Sequence, residues 1–156
     1  MALEKAKKHL EKFGLEDRIH IFEVSTATVE LAAQAVGCEP ARIAKTLSFE
    51  RDGGCVLIVC AGDVKIDNRK FKDTFHTKAK MLSPDCAEEL TGHRVGGVCP
   101  FGVPDTARVC LDESLRRFDV VYPAAGTDNT AVRLTLAELE RATGGEWVDV
   151  CKSTQA

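Results

Sequence analysis

The feature that most restricts the fold is a pair of apolar segments joined by a very short polar link. Residues 44–50 and 55–60 read as strands, and Arg51-Asp52-Gly53-Gly54 separates them. An Asp-Gly step between two such segments predicts a β-hairpin. Because an antiparallel hairpin interrupts regular β-α-β alternation, we expect a sheet of mixed pairing instead of a purely parallel one.

Helical and strand patterns alternate irregularly around this hairpin. Apolar residues recur every three or four positions over 2–13, which predicts an amphipathic opening helix that ends near Gly14. With no repeat and no long linker, we expect a single compact α/β domain over 1–156, with an α+β-like mixed topology. The other predicted helices cover 29–36, 67–75, 86–90 and 135–142, with a short helical turn at Pro40; the other predicted strands cover 19–24, 79–82, 107–111, 118–122, 131–134 and the region of Trp147.

Composition is that of an ordinary soluble protein and excludes several classes of function. The chain is 44% hydrophobic and 29% charged, and no apolar stretch approaches the roughly 20 residues of a membrane-spanning helix. The charged first residues lack the apolar core of a signal peptide. We therefore expect a cytoplasmic protein with no membrane contact. The net charge of −3 gives no sign of a broad nucleic-acid surface, and we expect no DNA partner.

The cysteines and histidines show no metal-binding or nucleophile pattern. The seven cysteines, at positions 38, 55, 60, 86, 99, 110 and 151, form no Cys-x-x-Cys pair and mostly have apolar neighbours. This pattern predicts reduced thiols that pack as small core residues, without a metal or cofactor. Of the four histidines, only His93 lies near a candidate pocket, and none is a strong candidate for a general base.

Lys45 is the first candidate for a functional side chain. Strand alternation places it on one face with Ile43, Leu47 and Phe49. A lysine among apolar residues is costly unless an anion or a polar cavity receives its charge. Lys45 could therefore bind a phosphate, ribose hydroxyl or carboxylate at the mouth of a pocket. Alternatively, its stem packs while the ammonium reaches water.

A second candidate is the glycine loop, defined as residues 96–102 with the sequence Gly96-Gly97-Val98-Cys99-Pro100-Phe101-Gly102. Three glycines and a proline in seven residues favour an unusual backbone path. Such a path can direct several N–H or C=O groups towards one point, which suits the orientation of an ester carbonyl and the stabilisation of an oxyanion. A tight structural turn is the alternative.

Two further segments have a weaker pattern. Residues 122–130 combine small and polar residues, which fits either a pocket wall or a plain loop. Residues 65–80 carry six Lys or Arg against two Asp in a chain that is acidic overall. Such local segregation could form a phosphate-binding patch, or it could be a solvated helix face.

Taken together, Lys45-Thr46-Leu47, the segment from Leu90 to Gly102 and Ala125-Gly126 resemble, in order and spacing, the YbaK/prolyl-tRNA-synthetase editing-domain family. The resemblance covers about residues 6–150. It implies a compact α/β domain with a curved, barrel-like mixed β-sheet flanked by helices. It also implies hydrolysis of mischarged aminoacyl-tRNA, often cysteine or alanine on tRNA(Pro), with tRNA and a synthetase such as prolyl-tRNA synthetase as partners.

The same resemblance assigns roles to residues. The family's lysine falls on Lys45, which would engage the terminal adenosine of tRNA, and the family's loop falls on Gly96 to Pro100. The backbone of Gly96 and Gly97 would position the ester and the attacking water, so these two residues and Lys45 are the expected catalytic residues. The expected substrate-binding residues are Phe22, Thr46, His93, Val98, Cys99, Pro100, Phe101, Gly102, Ala124, Ala125, Gly126 and Asn129. The expected tRNA-binding residues are Lys65, Arg69, Lys70 and Lys72.

The chain departs from the family pattern in ways that keep two alternatives open. Ala124-Ala125-Gly126 stands where many members have Ser-Gly-Gly, so a pocket hydroxyl is missing, and Phe22 stands where an aromatic hydroxyl is common. Asn129 corresponds to a histidine or asparagine of the alanine-editing branch. One alternative is a non-catalytic module that binds tRNA or a synthetase. The other is a thiol redox enzyme, because Val98-Cys99-Pro100 is similar to a peroxidatic cysteine before proline.

Overall fold

The chain folds around the predicted hairpin. The structure, a computed structural model, describes residues 2–154. The helices found there are α1 (Ala2–Glu11), α2 (Val29–Val36), α3 (Asn68–Phe75), α4 (Pro84–Thr91) and α5 (Leu136–Thr143). The strands are β1 (Ile19–Ile21), β2 (Ile43–Arg51), β3 (Gly54–Ala61), β4 (Val64–Ile66), β5 (Ala107–Asp112), β6 (Val120–Pro123), β7 (Thr130–Val132), β8 (Leu134–Thr135), β9 (Glu146–Val148) and β10 (Cys151–Ser153). Short 3-10 helices lie at Glu16–Arg18, Pro40–Arg42 and Glu113–Arg117.

The central sheet has six strands in the order β8-β6-β2-β3-β5-β9. β2 and β3 form the antiparallel hairpin, in which Lys45 lies opposite Cys60. β6 pairs with β2, β5 with β3 and β9 with β5 in parallel, whereas β8 pairs antiparallel with β6. The sheet is mixed and curls into a half-barrel, which confirms the predicted fold class.

Two small strand pairs flank the sheet and correct the sequence-based assignment. β1 pairs with β7, and β4 pairs with β10, both antiparallel. Neither β4 nor β10 was predicted, because a strand of three residues is too short to show a period. The strand predicted at 79–82 was wrong, since this segment makes only an isolated bridge between Phe49 and Met81.

Local side-chain chemistry explains where the helices begin. The Thr28 hydroxyl accepts a hydrogen bond from the Leu31 N–H at the start of α2, and the Ser83 hydroxyl does the same for the Cys86 N–H in α4. At α5, Thr135 and Glu138 form a reciprocal capping box. Each cap thus pairs a backbone N–H that the helix itself cannot satisfy.

The core lies along β3, whose residues 55–61 are all buried. Phe49, Phe71, Phe101, Leu111 and Leu139 pack in this main apolar cluster. All seven cysteines are free thiols, and five of them are buried, as predicted for small core residues. No helix within residues 2–154 has the length and apolar character needed to cross a membrane.

Candidate functional site

A cavity of about 320 Å³ lies beside β2. This volume is at the lower end of the range of about 300–1,000 Å³ for small-molecule pockets. Its wall is formed by β2, the start of α2, the glycine loop and the ends of β6 and β7. Five of the residues predicted from the sequence therefore meet around one space, namely Lys45, Thr46, Gly96, Val98 and Ala124.

The cavity wall is largely neutral. Among the lining residues that the structure describes, Lys45 is the one charged residue, and there is no Asp, Glu, His or Cys. The wall thus supplies no carboxylate, imidazole or thiol that could act as a general base. Its uncharged polar groups come from Thr26, Thr28, Thr46, Ser48, Tyr122 and Thr130.

The Lys45 side chain is half-buried, and its ammonium donates a hydrogen bond to the Val64 carbonyl. It also helps to lower the pKa of the Asp63 carboxyl, although the hydrogen bond from Arg117 is the main cause of that shift. The ammonium is therefore held by protein groups at the start of β4 and does not project freely into water.

Thr46 has an unsatisfied hydroxyl in the cavity wall. Its Oγ1 atom is buried and has no hydrogen-bond partner within residues 2–154. Leaving such a group unpaired costs about 1–3 kcal/mol. A ligand atom in the cavity could supply the missing partner.

The glycine loop contacts the cavity with Gly96 and Val98. Gly96 has a φ of 97°, which favours glycine. Gly97 packs against the neighbouring backbone so closely that a Cβ atom there would lie 2.6 Å from the Thr127 nitrogen. The Gly97 N–H donates to the Arg94 carbonyl at 2.9 Å, whereas the N–H groups of Gly96 and Val98 make no hydrogen bond within residues 2–154. Gly96 and Val98 are thus cavity-lining residues whose N–H groups have no hydrogen-bond partner in the described chain.

A second, fully buried cluster lies on the interior side of the glycine loop. It contains His93 and two residues of the loop itself, Cys99 and Phe101. His93 Nε2 lies 2.7 Å from the Phe101 carbonyl, which can only accept, so Nε2 carries the proton. Burial lowers the pKa of His93, and its Nδ1 atom has no partner within the described chain. Gly126 approaches this ring so closely that a Cβ atom there would lie 2.9 Å from Nδ1.

The Cys99 thiol also belongs to this buried cluster. Its sulfur lies 3.5 Å from His93 Nε2 and donates to the Phe101 carbonyl at 3.6 Å. Burial raises the pKa of Cys99 to about 12. Because the thiolate is the reactive form of cysteine, this environment gives no support to a redox role.

Phe22 and Asn129 lie outside the cavity wall and connect β1 to the segment before β7. The Phe22 N–H donates to the Asn129 carbonyl at 2.8 Å, and the Asn129 side-chain amide donates to the Phe22 carbonyl at 3.3 Å. Nearby, the Ala125 N–H donates to the Thr130 hydroxyl at 3.0 Å. The other predicted residues that do not line the cavity are His93, Gly97, Cys99, Pro100, Phe101, Gly102, Ala125 and Gly126.

Several lining residues were not singled out from the sequence. Thr26 and Thr28 precede α2, where Thr28 is the cap, and Tyr122 and Thr130 lie in the segment 122–130, which was considered only as a whole. Strand alternation places Ser48 on the face opposite to Lys45, and no motif surrounds it. Their shared signal is a hydroxyl near a predicted cavity residue, which is too common in sequences to identify a site.

The predicted tRNA-binding cations lie away from the cavity wall. Lys65 on β4 and Arg69 and Lys72 on α3 are exposed. The Lys70 ammonium donates to Asp149 at 3.0 Å and to the Cys151 carbonyl at 3.1 Å, and the bond to Asp149 raises the pKa of Lys70. The Lys70 side chain thus connects α3 to the segment at β10.

Comparison with known proteins assigns this arrangement to a family. The sequence profile of the aminoacyl-tRNA editing domain matches residues 23–142, which is most of the chain and includes the whole cavity wall. The chain belongs to this family. The resemblance seen in the sequence motifs is thereby confirmed.

Individual relatives show how far the similarity of this editing domain extends. The uncharacterized protein YwhH of Bacillus subtilis is 48% identical over 154 residues, which is 97% of this chain and 98% of YwhH. The proline–tRNA ligase of Lysinibacillus sphaericus is 29% identical over 114 residues, or 72% of this chain, but the match spans only 19% of that ligase. A crystal structure of a protein provisionally named a trans-editing enzyme for prolyl tRNA synthetase is 31% identical, with a TM-score of 0.88 and coverage of 97% and 98%.

Proposed function

We propose that this editing domain is a deacylase that acts in trans on mischarged aminoacyl-tRNA, with substrates of the Cys-tRNA(Pro) or Ala-tRNA(Pro) type. The observation that carries the proposal is the meeting of Lys45, as the one charged lining residue described, with the backbone of Gly96 and Val98 at a small neutral cavity. The similarity to a protein named for trans-editing supports the same activity.

In this proposal the aminoacyl group occupies the cavity and the terminal adenosine lies at Lys45. The unpaired 3′ end of tRNA can enter such a cleft because its bases are not held in a helix. Lys45 would exchange its bond to the Val64 carbonyl for a phosphate or ribose hydroxyl of the tRNA. The Thr46 hydroxyl, which lacks a partner within residues 2–154, would accept or donate a bond to the aminoacyl group.

Hydrolysis would depend on positioning, since no side-chain base lines the described cavity. The oxygen of a water molecule attacks the ester carbonyl carbon, and the bond from that carbon to the ribose oxygen breaks. The ribose oxygen takes one proton from the water, the free amino acid loses the other, and the products are the amino acid and uncharged tRNA. The N–H groups of Gly96 and Val98 would stabilise the developing oxyanion, and the ribose hydroxyl beside the ester could relay the proton.

A panel of mischarged tRNAs tests this function. We expect deacylation of at least one Cys- or Ala-tRNA(Pro) substrate by the wild-type protein, and a loss on the order of 10²–10³ in rate for Lys45→Ala. Lys12→Ala, an exposed lysine on the loop after α1, is the matched control and should act as the wild type does. Near-normal hydrolysis by a folded Lys45→Ala protein would remove Lys45 from the mechanism.

A non-catalytic binding role is the second candidate, and one observation favours it. Ala124 lines the cavity at the position where many family members carry a serine, so the wall lacks that hydroxyl. A binding module should protect mischarged aminoacyl-tRNA from spontaneous hydrolysis. Faster loss of the amino acid with protein than without it would exclude this role.

A further inference from the structure

A second and larger concavity, here called the hairpin groove, lies at the far end of β2. Its volume is about 1,010 Å³, and its walls come from the β2–β3 turn, the end of α3 and α4. Residues 80–82 run along its border, with Lys80 in the groove and Met81 in the cavity wall. Leu82 lines both spaces, so the hairpin groove and the cavity are neighbours with this side chain in both walls.

The spacing along β2 relates the two spaces in length. Ser48 lines the cavity, whereas Arg51 lines the hairpin groove. Three residues of a strand span about 10 Å. A nucleic-acid end in the cavity would therefore place its preceding nucleotides in the hairpin groove.

The hairpin groove carries cations that are available to phosphates. Arg51, Lys78 and Lys80 line it, together with the two acidic residues Glu50 and Asp52. Lys80 makes an ion pair with Glu50 at 3.5 Å, but both side chains are more than half exposed, so the pair is weak and a phosphate can replace it. Arg51 and Lys78 form no ion pair within residues 2–154.

Two rings lie beside these cations. Phe75 is half-buried and packs on Phe71 with a centroid distance of 4.7 Å. His76 is exposed and adopts a φ of 60° at the end of α3, whereas α2, α4 and α5 place a glycine in the same left-handed position. A histidine costs more than glycine in this conformation. The ring lies in the groove wall, where a base can stack on it.

We propose that the hairpin groove binds the unpaired nucleotides that precede the terminal adenosine of tRNA, with Arg51, Lys78 and Lys80 at the phosphates and His76 and Phe75 stacked on a base. Grooves that combine cations with exposed rings are the usual way in which proteins hold single-stranded nucleic acid. The inference rests on the proposed function for the identity of the RNA. It assigns the main tRNA contacts to residues 51 and 75–80, in addition to the exposed cations of β4 and α3.

Binding of a fluorescent RNA oligonucleotide ending in CCA tests the groove directly. The double variant Arg51→Gln/Lys78→Gln should bind at least tenfold more weakly than the wild type at low salt. The slope of log affinity against log salt should also become shallower by about 1.4, because each of the two lost phosphate contacts contributes about 0.7. Lys7→Gln/Lys8→Gln, which removes two exposed charges from α1, is the matched control and should change neither quantity.

His76→Gly separates stacking from charge. Glycine suits the backbone at this position, so the fold should be retained. The variant should lose about fivefold or more in affinity with an unchanged salt slope. Wild-type affinity in both groove variants, or no RNA binding by the wild-type protein, would overturn the proposal.

Hydrolysis assays distinguish failure of the groove from failure of the proposed function. A 3′-aminoacyl-adenosine fills only the cavity, so Arg51→Gln/Lys78→Gln should cleave it normally while losing activity on aminoacyl-tRNA. If the wild-type protein binds the oligonucleotide through the groove but hydrolyses neither substrate, the deacylase function fails and the groove stands. If the variant cleaves both substrates as the wild type does, the groove assignment fails alone.

Discussion

The two sides of the glycine loop differ sharply in chemistry. On one side, Gly96 and Val98 border an open cavity with neutral walls and one lysine. On the other side, His93 and Cys99 are buried, with the pKa of the histidine lowered and that of the thiol raised to about 12. The residue types with the most familiar catalytic chemistry thus lie where they cannot react.

The two sides therefore have different roles: the buried side supports the loop, and the cavity side is the one that can contact a substrate. The buried cluster fixes the backbone by bonding the Phe101 carbonyl, and the cavity uses the backbone that results. Changes behind the loop should therefore alter stability first, whereas changes in the cavity wall should alter activity first.

Gly97→Ala should have the largest effect, on both stability and activity, because Gly97 lies between the cavity side and the buried side of the glycine loop. The added Cβ would lie 2.6 Å from the Thr127 nitrogen and 2.7 Å from the Gly126 carbonyl carbon, both backbone atoms. We expect a loss of about 3 kcal/mol in the free energy of unfolding together with loss of deacylation. Urea unfolding measures the first. Gly96→Ala has no such clash, since its nearest contact would be 3.5 Å away, and should lose only the roughly 1–2 kcal/mol that a left-handed backbone costs a residue with a Cβ atom. Equal stability of Gly97→Ala and the wild type would show that the loop can move.

Thr46→Val tests the cavity side. Removing a buried hydroxyl without a partner in the described chain should raise the free energy of unfolding by about 1 kcal/mol. If substrate pairs with this hydroxyl, kcat/KM for aminoacyl-tRNA should fall about tenfold, equivalent to about 1.4 kcal/mol. A variant that is both less stable and fully active would reverse the assignment of Thr46.

His93→Gln tests the buried side through pH. Burial lowers the pKa of His93, so between its folded pKa and the unfolded value near 6.5 the unfolded state binds more protons. The stabilisation is complete above about pH 6.5 and is lost as the pH falls, by at most about 1.4 kcal/mol per pH unit. The variant should show a shallower decline of stability between pH 7 and pH 5. An identical decline in both proteins would show that titratable groups other than His93 cause the loss of stability at low pH.

Cys99→Ala should have the smallest effect on activity. Deleting a buried sulfur should reduce the free energy of unfolding by about 1 kcal/mol, while deacylation stays within about twofold of the wild type. Neither protein should consume hydrogen peroxide catalytically. Cys99-dependent peroxide consumption would revive the thiol redox alternative.

The sequence predicted those elements whose signal is local. The hairpin at 44–60 and the helices α2, α4 and α5 follow from turn residues and periodicity, and all were confirmed. β4 and β10 were missed because each has three residues and exists only through pairing with the other. The strand predicted at 79–82 was wrong, because this segment pairs with β2 only at the isolated bridge between Phe49 and Met81.

The site shows the same division. Lys45, Thr46 and the glycine loop were identified by the order of their motifs along the chain. Members of a family share this order, so it can be recognised without knowledge of the fold. Ser48, Tyr122 and Thr130 line the same cavity without any motif, because a hydroxyl becomes a pocket group only when distant segments converge.

By itself the sequence determined the hairpin, the mixed fold class, the family motifs and the reduced state of the cysteines, since each depends on near neighbours or on overall composition. The tertiary structure alone decided which of those residues share one space. It placed Lys45 with Gly96 and Val98, buried His93 and Cys99 behind them, and set the hairpin groove beside the cavity with Leu82 in both walls. The physical reason is that burial and proximity arise from packing between distant segments, and a protonation state follows from burial.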